Sequence, residues 1–212
     1  MSHPQPVRRH TQARGRARRE ALLQAARAVL ESEDCATVTL PQIAERAGIP
    51  ASSAYHFYPE IGGLYKDLVR EIAQEMVARF RLRPGAESWR DTVTRFLDLS
   101  RDYFNGHAAA RQLMLGPRIA PDVKKAACWE DYRFGRALLA GVEQDFVLPP
   151  LADPAAVFFK ALQIADFFYS LSVMEHGRIS PEARAEGEAA TLAYLALYLP
   201  HFLPRRRDGA GY

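Results

Sequence analysis

The chain has 212 residues, of which 48% are hydrophobic and 25% charged, and its formal net charge is +3. This length can bury a sizeable core, and the small net charge excludes a nucleic-acid binder that is basic over its whole surface. Cys35 and Cys128 are far apart and match no metal-ligand spacing, so we expect two reduced thiols.

Residues 1–15 are predicted to form a basic, flexible tail. Arginines crowd this end of the chain, with no acidic residue before Glu20: Arg8, Arg9, Arg14, Arg16, Arg18 and Arg19. Such a run can follow DNA phosphates or enter a minor groove, or it can remain a solvated tail, and both interpretations stay open. Residues 1–21 have no apolar core of the kind that a secretory signal needs.

Two helices are predicted next. The first spans residues 16–31, and one face of it is apolar: Leu22, Ala26, Val29 and Leu30. The second follows Thr39, which can form a capping box with Gln42 three residues later. Gly48 ends it, because glycine readily takes the left-handed conformation of a helix exit.

A short third helix is predicted over residues 51–58, ASSAYHFY, opened by Pro50. Its first positions are small and polar, and its Ser, His and Tyr side chains can hydrogen-bond to phosphates and base edges. A helix, a glycine turn and a short helix form the helix-turn-helix plan, whose second helix enters the major groove of DNA. A plain corner between two bundle helices has the same layout.

These features resemble the DNA-binding domain of the TetR (tetracycline-repressor-like) family of bacterial transcription regulators. The resemblance covers about the first third of the chain and rests on these positions: Thr39, Ile43-Ala44, Ala47-Gly48-Ile49, Ser52-Ser53, Tyr55-His56-Phe57-Tyr58 and Leu64. The chain departs from the family pattern at Pro50, where Ser or Thr is usual, and at Tyr58, where Phe is usual. At Ile61 the family often has a Lys that can touch a phosphate, so that contact is in doubt.

The resemblance implies contacts to a double-stranded DNA operator from the helix-turn-helix. The expected DNA-binding residues are Thr39, Gln42, Pro50, Ala51, Ser52, Ser53, Tyr55, His56 and Tyr58. Among these, Thr39, Tyr55 and His56 are expected at phosphates, while residues 51–53 approach base edges.

The rest of the chain is predicted to be helical, since no segment shows sustained two-residue alternation. A connecting helix over residues 63–83 ends at Pro84-Gly85. Further helices are predicted over residues 89–105, 107–115 and 121–146. The expected architecture is all-α with about nine helices: a DNA-binding domain over 16–62, the connecting helix, an effector-binding and dimerisation domain over 84–204, and a tail over 205–212.

The last two helices follow caps at Asp153 and Ser180. Residues 154–176 are apolar almost all round and long enough to span a membrane. Charged and polar side chains near the middle of this helix, including Lys160 and Asp166, make insertion into a membrane costly, so we expect no membrane partner. We expect instead that both sides of the helix are buried by protein. The resemblance implies a homodimer through these helices, with interface residues Phe158, Leu162, Tyr169, Leu192, Leu195 and Leu199.

The resemblance also implies a pocket for a small, mainly apolar effector. Its expected lining is Trp89, Phe96, Tyr103, Phe104, Met114, Trp129, Tyr132, Gln163, Asp166 and Phe167. Large apolar side chains are equally suited to the core. Asp166 can anchor a ligand or be a hydrogen-bonded interface residue.

A helical-bundle enzyme is the main alternative. It would need a metal or cofactor site such as facing Glu-x-x-His pairs, and neither these nor a nucleophile motif, phosphate-binding glycine loop or dinucleotide fingerprint occurs. We therefore predict no catalytic residue, metal or cofactor. A protein-only adaptor leaves the basic N-terminus unexplained. The predicted function is a cytoplasmic, nucleoid-associated, ligand-responsive repressor that binds an inverted repeat as a homodimer.

Overall fold

The computed structural model describes residues 7–206, with side chains from residue 13. Nine helices follow one another in this range: α1 (Val7–Val29), α2 (Leu40–Arg46), α3 (Ala51–Phe57), α4 (Ile61–Arg79), α5 (Trp89–Gly106), α6 (Ala108–Ala110, continued by a π-helical turn over Arg111–Leu115), α7 (Pro121–Asp145), α8 (Pro154–His176) and α9 (Pro181–Leu195). The described residues contain no strand beyond an isolated bridge between Phe146 and Arg205, which agrees with the all-α prediction.

The first helix begins at Val7 rather than near Arg16, so residues 7–15 are helical and not an irregular tail. This segment contains no proline, and its arginines, Gln12 and Ala13 are good helix formers. Gly15 lies against α3, since a Cβ there would stand 3.9 Å from Cε1 of Phe57. Residues 1–6 and the side chains of Arg8 and Arg9 lie outside the described part of the chain.

The local signals around α2 and α3 are confirmed. Thr39 is the N-cap of α2, and Oε1 of Gln42 accepts hydrogen bonds from its backbone N–H (2.7 Å) and its hydroxyl (2.8 Å). Gly48 has φ of +66°, the left-handed conformation expected at this exit. Pro50 precedes α3, as predicted, although α3 ends one residue earlier than expected.

The connecting helix α4 ends at Arg79, before the predicted end near Arg83. Phe80 leaves the helix and is buried, with its ring edge-on to Phe96 at 5.4 Å between centroids. Leu82 then packs directly on Gly141 of α7. These tertiary contacts hold the chain in an irregular path ahead of Pro84.

The C-terminal helices match their predicted starts, at Pro121, Pro154 and Pro181. The last helix ends at Leu195, and a turn continues it to Leu199. The predicted tail from residue 205 begins with paired backbone: Arg206 N–H donates to the carbonyl of Asp145 at 2.8 Å. Residues 207–212 are not described.

Helix α8 lies between α7 and α9 at close range. A Cβ on Gly135 of α7 would stand 2.7 Å from the backbone of Phe159 in α8, and one on Gly187 of α9 would stand 3.5 Å from Cα of Ala165. Small residues at these crossings let the backbones approach. By length and composition α8 could cross a membrane, but 39% of its most apolar window is buried inside the protein.

Candidate nucleic-acid interface

Helix α3 has one buried side and one exposed side. Ala54 is fully buried against the core, whereas Tyr55 is 48% exposed. The exposed positions at and after its start include most of the predicted DNA contacts: Pro50, Ala51, Ser52, Tyr55 and His56. Ser53 is half-buried beside them. The small and hydroxyl-bearing side chains at the start of α3 therefore face solvent together.

Tyr58 is the exception among the predicted DNA contacts. It is only 3% exposed, and its hydroxyl donates to Oδ2 of Asp67 at 3.0 Å. Burial and the Asp67 carboxylate raise the pKa of Tyr58. The guanidinium of Arg19 lies 5.4 Å from the centre of the ring. The prediction that Tyr58 contacts DNA is therefore wrong, because the extended backbone after α3 turns this ring into the domain.

Thr39 and Gln42 lie at the exposed start of α2. The hydrogen bonds between them hold Gln42 in place through its Oε1. Its Nε2 makes no hydrogen bond to any residue in the described range and remains a free donor. The capping pair thus leaves a donor at the surface that also carries α3.

Basic side chains flank this surface on α1. Arg14, Arg16 and Arg18 are exposed. Lys66, near the start of α4, is instead engaged with Asp122 of α7 (Nζ to Oδ2, 2.7 Å), which lowers the pKa of that carboxyl. Positive charge available on this domain therefore comes from the exposed arginines of α1 and from exposed Arg46 of α2.

A glutamine in the π-helical part of α6 joins the DNA-binding domain to the rest of the protein. Oε1 of Gln112 accepts from the N–H of Cys35 (2.8 Å), and its Nε2 donates to the carbonyls of Leu30 (2.7 Å) and Glu33 (2.8 Å). These carbonyls belong to the turn that follows α1, where the backbone has no helical partner for them. Nothing in the sequence around Gln112 indicates this role.

Ion pairs connect α1 to the connecting helix. Arg27 binds Glu75 at 2.7 Å and Glu71 at 3.2 Å. The hydroxyl of Tyr65 donates to the carbonyl of Cys35 at 3.2 Å. Helix α4 is therefore fixed to the DNA-binding domain from Tyr65 to Glu75.

An interior cavity lies where α4, α5, α7 and α8 meet. The space open to the centre of a water molecule is about 20 Å³. Phe96, Phe104 and Asp166, from the predicted effector pocket, line it. Sequence reasoning missed Met76 of α4 and Asp131 of α7, which also line it, because neither stands out from its neighbours in sequence.

The other predicted pocket residues do not meet at this cavity. Trp129 and Phe167 are exposed, and Tyr132 packs beside Phe159 on the outside of α7 and α8. Trp89 is buried, but its indole N–H donates to the carbonyl of Pro200 at 2.9 Å. These corrections arise because helical periodicity identifies a face without saying what that face contacts.

Three more predicted residues lie close to the cavity without lining it. Tyr103 stacks on His107, with 4.1 Å between ring centres, and Met114 is buried in the π-helical turn. Gln163 donates through Nε2 to Oδ2 of Asp131 at 2.7 Å. Gln163 thus positions the carboxylate of Asp131, which lines the cavity together with that of Asp166.

The carboxyl groups of Asp131 and Asp166 have raised pKa values. Burial raises the pKa of Asp131 to about 6, against the opposing effects of the Gln163 hydrogen bond and the Lys124 charge. Burial, and then the charge of Asp131, raise the pKa of Asp166 well above its usual range. Two carboxyl groups in one apolar cavity disfavour each other's ionisation.

Most of the predicted interface residues on α8 and α9 are inside the protomer. Those that are buried, and so cannot form a subunit interface directly, are Phe158, Leu162, Tyr169, Leu195 and Leu199; Leu192 is partly buried. The opposite side of α8 carries the exposed apolar residues Phe167 (61%), Leu171 (42%) and Met174 (58%). The prediction chose the wrong face, since apolar residues occur all around α8.

Among the described residues, no group of three or more His, Cys, Asp or Glu side chains is placed to hold a metal ion. The polar surface around α3 and the interior cavity each bring polar or charged side chains together. The first combines hydroxyl donors with flanking arginines, which is the composition of surfaces that bind phosphate backbones.

Residues 22–68 match a family model described as "Bacterial regulatory proteins, tetR family". A TetR transcriptional regulator from Rhodococcus sp. RHA1 has a similar solved structure, with a TM-score of 0.67 and 20% identity over 85% of this chain and 96% of that chain. The structure of a TetR-family regulator from Streptomyces coelicolor is also similar. Its TM-score is 0.63 and its sequence identity 19%, over 86% of this chain and 98% of that chain. Comparison with curated protein sequences gave no match.

A third similar structure is SmeT, the repressor of the Stenotrophomonas maltophilia multidrug efflux pump SmeDEF. Its TM-score is 0.56 and its identity 18%, over 92% of this chain and 93% of that chain. The all-α fold with an exposed helix-turn-helix is shared with these three regulators. The family match spans the end of α1, all of α2 and α3 and the first part of α4, so this N-terminal part of the chain is similar to the DNA-binding domain of the tetR family.

Proposed function

We propose that this protein is a homodimeric repressor that binds an inverted-repeat operator through α3 and releases it when a small effector binds. The exposed side of α3 carries this proposal: Ser52, Tyr55 and His56 face solvent together, while Ala54 fixes the helix to the core. Short polar side chains at the start of a recognition helix can reach base edges in the major groove.

The exposed side of α8 supports a dimer. Phe167, Leu171 and Met174 recur at intervals of four and three residues, so they form one apolar stripe on the helix. Leu197 and Tyr198, after α9, are also exposed. A two-fold axis that pairs this surface with itself would bury it and place two α3 helices on successive major grooves, roughly 34 Å apart.

The interior cavity supports control by a ligand. Met76 of α4 lines the cavity, and α4 begins only a few residues after α3. A ligand larger than one water would have to displace side chains such as Met76. It would release DNA only to the extent that it binds the displaced conformation more tightly than the DNA-binding one.

Repression is the proposed outcome, as it is for SmeT, which shares the fold. Bound at an operator, the protein would block transcription, and it would act in the bacterial cytoplasm on the nucleoid. No catalytic step is assigned to it. The effector is proposed to be mainly apolar because most of the cavity lining is apolar.

Selection from a random-sequence duplex library tests the proposal. The full-length protein should enrich an inverted repeat, and its affinity for the enriched duplex should fall steeply as salt increases, since phosphate contacts release counterions. Analytical ultracentrifugation of the complex should show two protomers on each duplex. Enrichment of no sequence, or binding that is insensitive to salt, would contradict the proposal.

A further inference from the structure

The interior cavity combines an apolar lining with two acids from different helices. Asp131 belongs to α7 and Asp166 to α8, and both line the same space as Phe96, Phe104 and Phe134. Aromatic and acidic side chains together provide what an organic cation needs: a counter-ion and ring faces.

The two carboxylates differ in their partners. Asp131 accepts a hydrogen bond from Nε2 of Gln163 at 2.7 Å. Asp166 makes no hydrogen bond or ion pair with any side chain that the structure describes, although burial is the main effect on its carboxyl group. Asp166 is half-buried, and its carboxylate lines an apolar cavity without a partner, so a proton or a cation there would be favourable.

The charged groups around Asp131 and Asp166 do not supply a positive partner for Asp166. Lys124 acts on both carboxyls, but its Nζ donates to the carbonyl of Met114 at 2.5 Å. Glu130 adds further negative charge near Asp131, and Arg133 is paired with Glu130 at 2.9 Å. Negative groups therefore outnumber positive ones at the cavity.

We propose that this cavity binds a small organic cation, an amine with an apolar aromatic or aliphatic body, and that Asp166 is its counter-ion. The phenylalanine rings cover the apolar body, while Asp131 stays held by Gln163 beside it. This inference rests on the proposed function, because the cation would be the effector that releases DNA.

The ligand-free cavity is smaller than such a cation. A space of about 20 Å³ holds roughly one water molecule. Binding therefore requires side chains at the cavity to move, among which Met76 has the most rotatable bonds. Movement of Met76 would also reach α4, which links the cavity to the DNA-binding domain.

Three probes of nearly equal size test the proposal by isothermal titration calorimetry of the full-length protein at pH 7.5: benzylammonium, benzyl alcohol and phenylacetate. They share a ring and differ in charge. Benzylammonium should bind roughly tenfold or more tightly than benzyl alcohol, and phenylacetate most weakly, since a hydrogen bond between charged groups exceeds a neutral one. Equal binding of the cation and the alcohol, or no binding of benzylammonium, would overturn the proposal.

Two variants locate the effect. Asp166→Asn should remove the preference for the cation, whereas Glu175→Gln, which removes the same charge at the exposed end of α8, should keep it. A persistent preference in folded Asp166→Asn protein would also count against Asp166 as the counter-ion. Operator binding without ligand is measured separately, so a protein that binds its duplex but shows no charge preference contradicts only the cation inference.

Discussion

Tyr55 and Tyr58 lie three positions apart in the sequence and have opposite environments. Tyr55 is 48% exposed on α3, whereas Tyr58 is 3% exposed and donates its hydroxyl to Asp67 at 3.0 Å. Both belong to the aromatic run that resembles the TetR motif. Tyr55 is therefore available for the proposed DNA contact, whereas Tyr58 supports the domain from within.

Tyr55→Ala should weaken binding to the selected duplex by roughly tenfold or more, because a hydrogen bond to a charged phosphate is lost. Its melting temperature should hardly change, as expected for an exposed position. Tyr58→Phe is the matched comparison: it removes the Asp67 bond and should cost about 1 kcal/mol of unfolding free energy. Normal DNA binding by Tyr55→Ala would mean that α3 faces DNA with another side.

Gln112→Leu should lower the free energy of unfolding by about 1–3 kcal/mol, because the N–H of Cys35 and the carbonyls of Leu30 and Glu33 lose their partner. Urea titration followed by circular dichroism measures the change. Gln74→Leu, at an exposed position of α4, is the control and should stay within about 0.5 kcal/mol of wild type. Equal stability of the two variants would show that water replaces the amide of Gln112.

Gly135→Ala should destabilise the protein by about 1–3 kcal/mol, since its Cβ would stand 2.7 Å from the backbone of Phe159 and force α7 and α8 apart. Gly187→Ala provides the comparison, because its Cβ would make an ordinary 3.5 Å contact. That change should be neutral or stabilising, as alanine favours a helix over glycine by up to about 1 kcal/mol. Thermal unfolding of both variants distinguishes them, and the reverse order would contradict the close helix crossing.

Phe167→Glu combined with Leu171→Glu should convert the proposed dimer to monomers, because the charges would be buried without partners in the interface. Sedimentation velocity measures the state, and far-ultraviolet circular dichroism should remain that of the folded protein. Leu99→Glu, at an exposed position of α5, should leave the dimer intact. A double variant that still sediments as a dimer would place the interface elsewhere.

Asp131 should make stability depend on pH in the direction opposite to an ion-paired carboxylate. Its pKa is raised to about 6 in the folded protein, so the folded state holds the proton more tightly than the unfolded state, whose pKa is about 4. The contribution of this group to stability is full below about pH 4 and is lost as pH rises to about 6. Urea titrations at several pH values measure it.

Other carboxyl groups also titrate between about pH 4 and 6, so the effect of Asp131 is measured as the difference in unfolding free energy between a variant and wild type. Asp131→Asn cannot ionise and should therefore lose less stability than wild type between these pH values. Glu175→Gln, at an exposed position, should follow wild type. Identical curves for wild type and Asp131→Asn would show that the carboxyl group of Asp131 is well solvated.

Features that depend on neighbouring residues could be predicted from the sequence. The Thr39–Gln42 pair, the left-handed Gly48 and the cap at Asp153 each involve a few consecutive residues and lie as expected. The predicted start of α1 and the predicted end of α4 are wrong. Helix propensity extends α1 to Val7, whereas tertiary contacts of Phe80 end α4 early.

Features that depend on distant segments could not be predicted. Helix α8 is apolar on every side, so its pattern does not distinguish the face that holds Phe158 from the face that holds Phe167. The same limit applies to Asp131, whose environment is set by Gln163 and Asp166 on another helix. Asp166 itself was singled out because a charge in an apolar helix is visible without any knowledge of packing.

The amide of Gln112 has a further consequence for how this protein can be dissected. Pro84-Gly85 separates the two parts of the chain along the sequence, but the turn that closes α1 is held by a side chain that lies beyond that point. An excised fragment that stops there would lack the residue that satisfies those carbonyls, and its first helix should fray. Weak DNA binding by such a fragment would then report the missing glutamine rather than a missing second subunit.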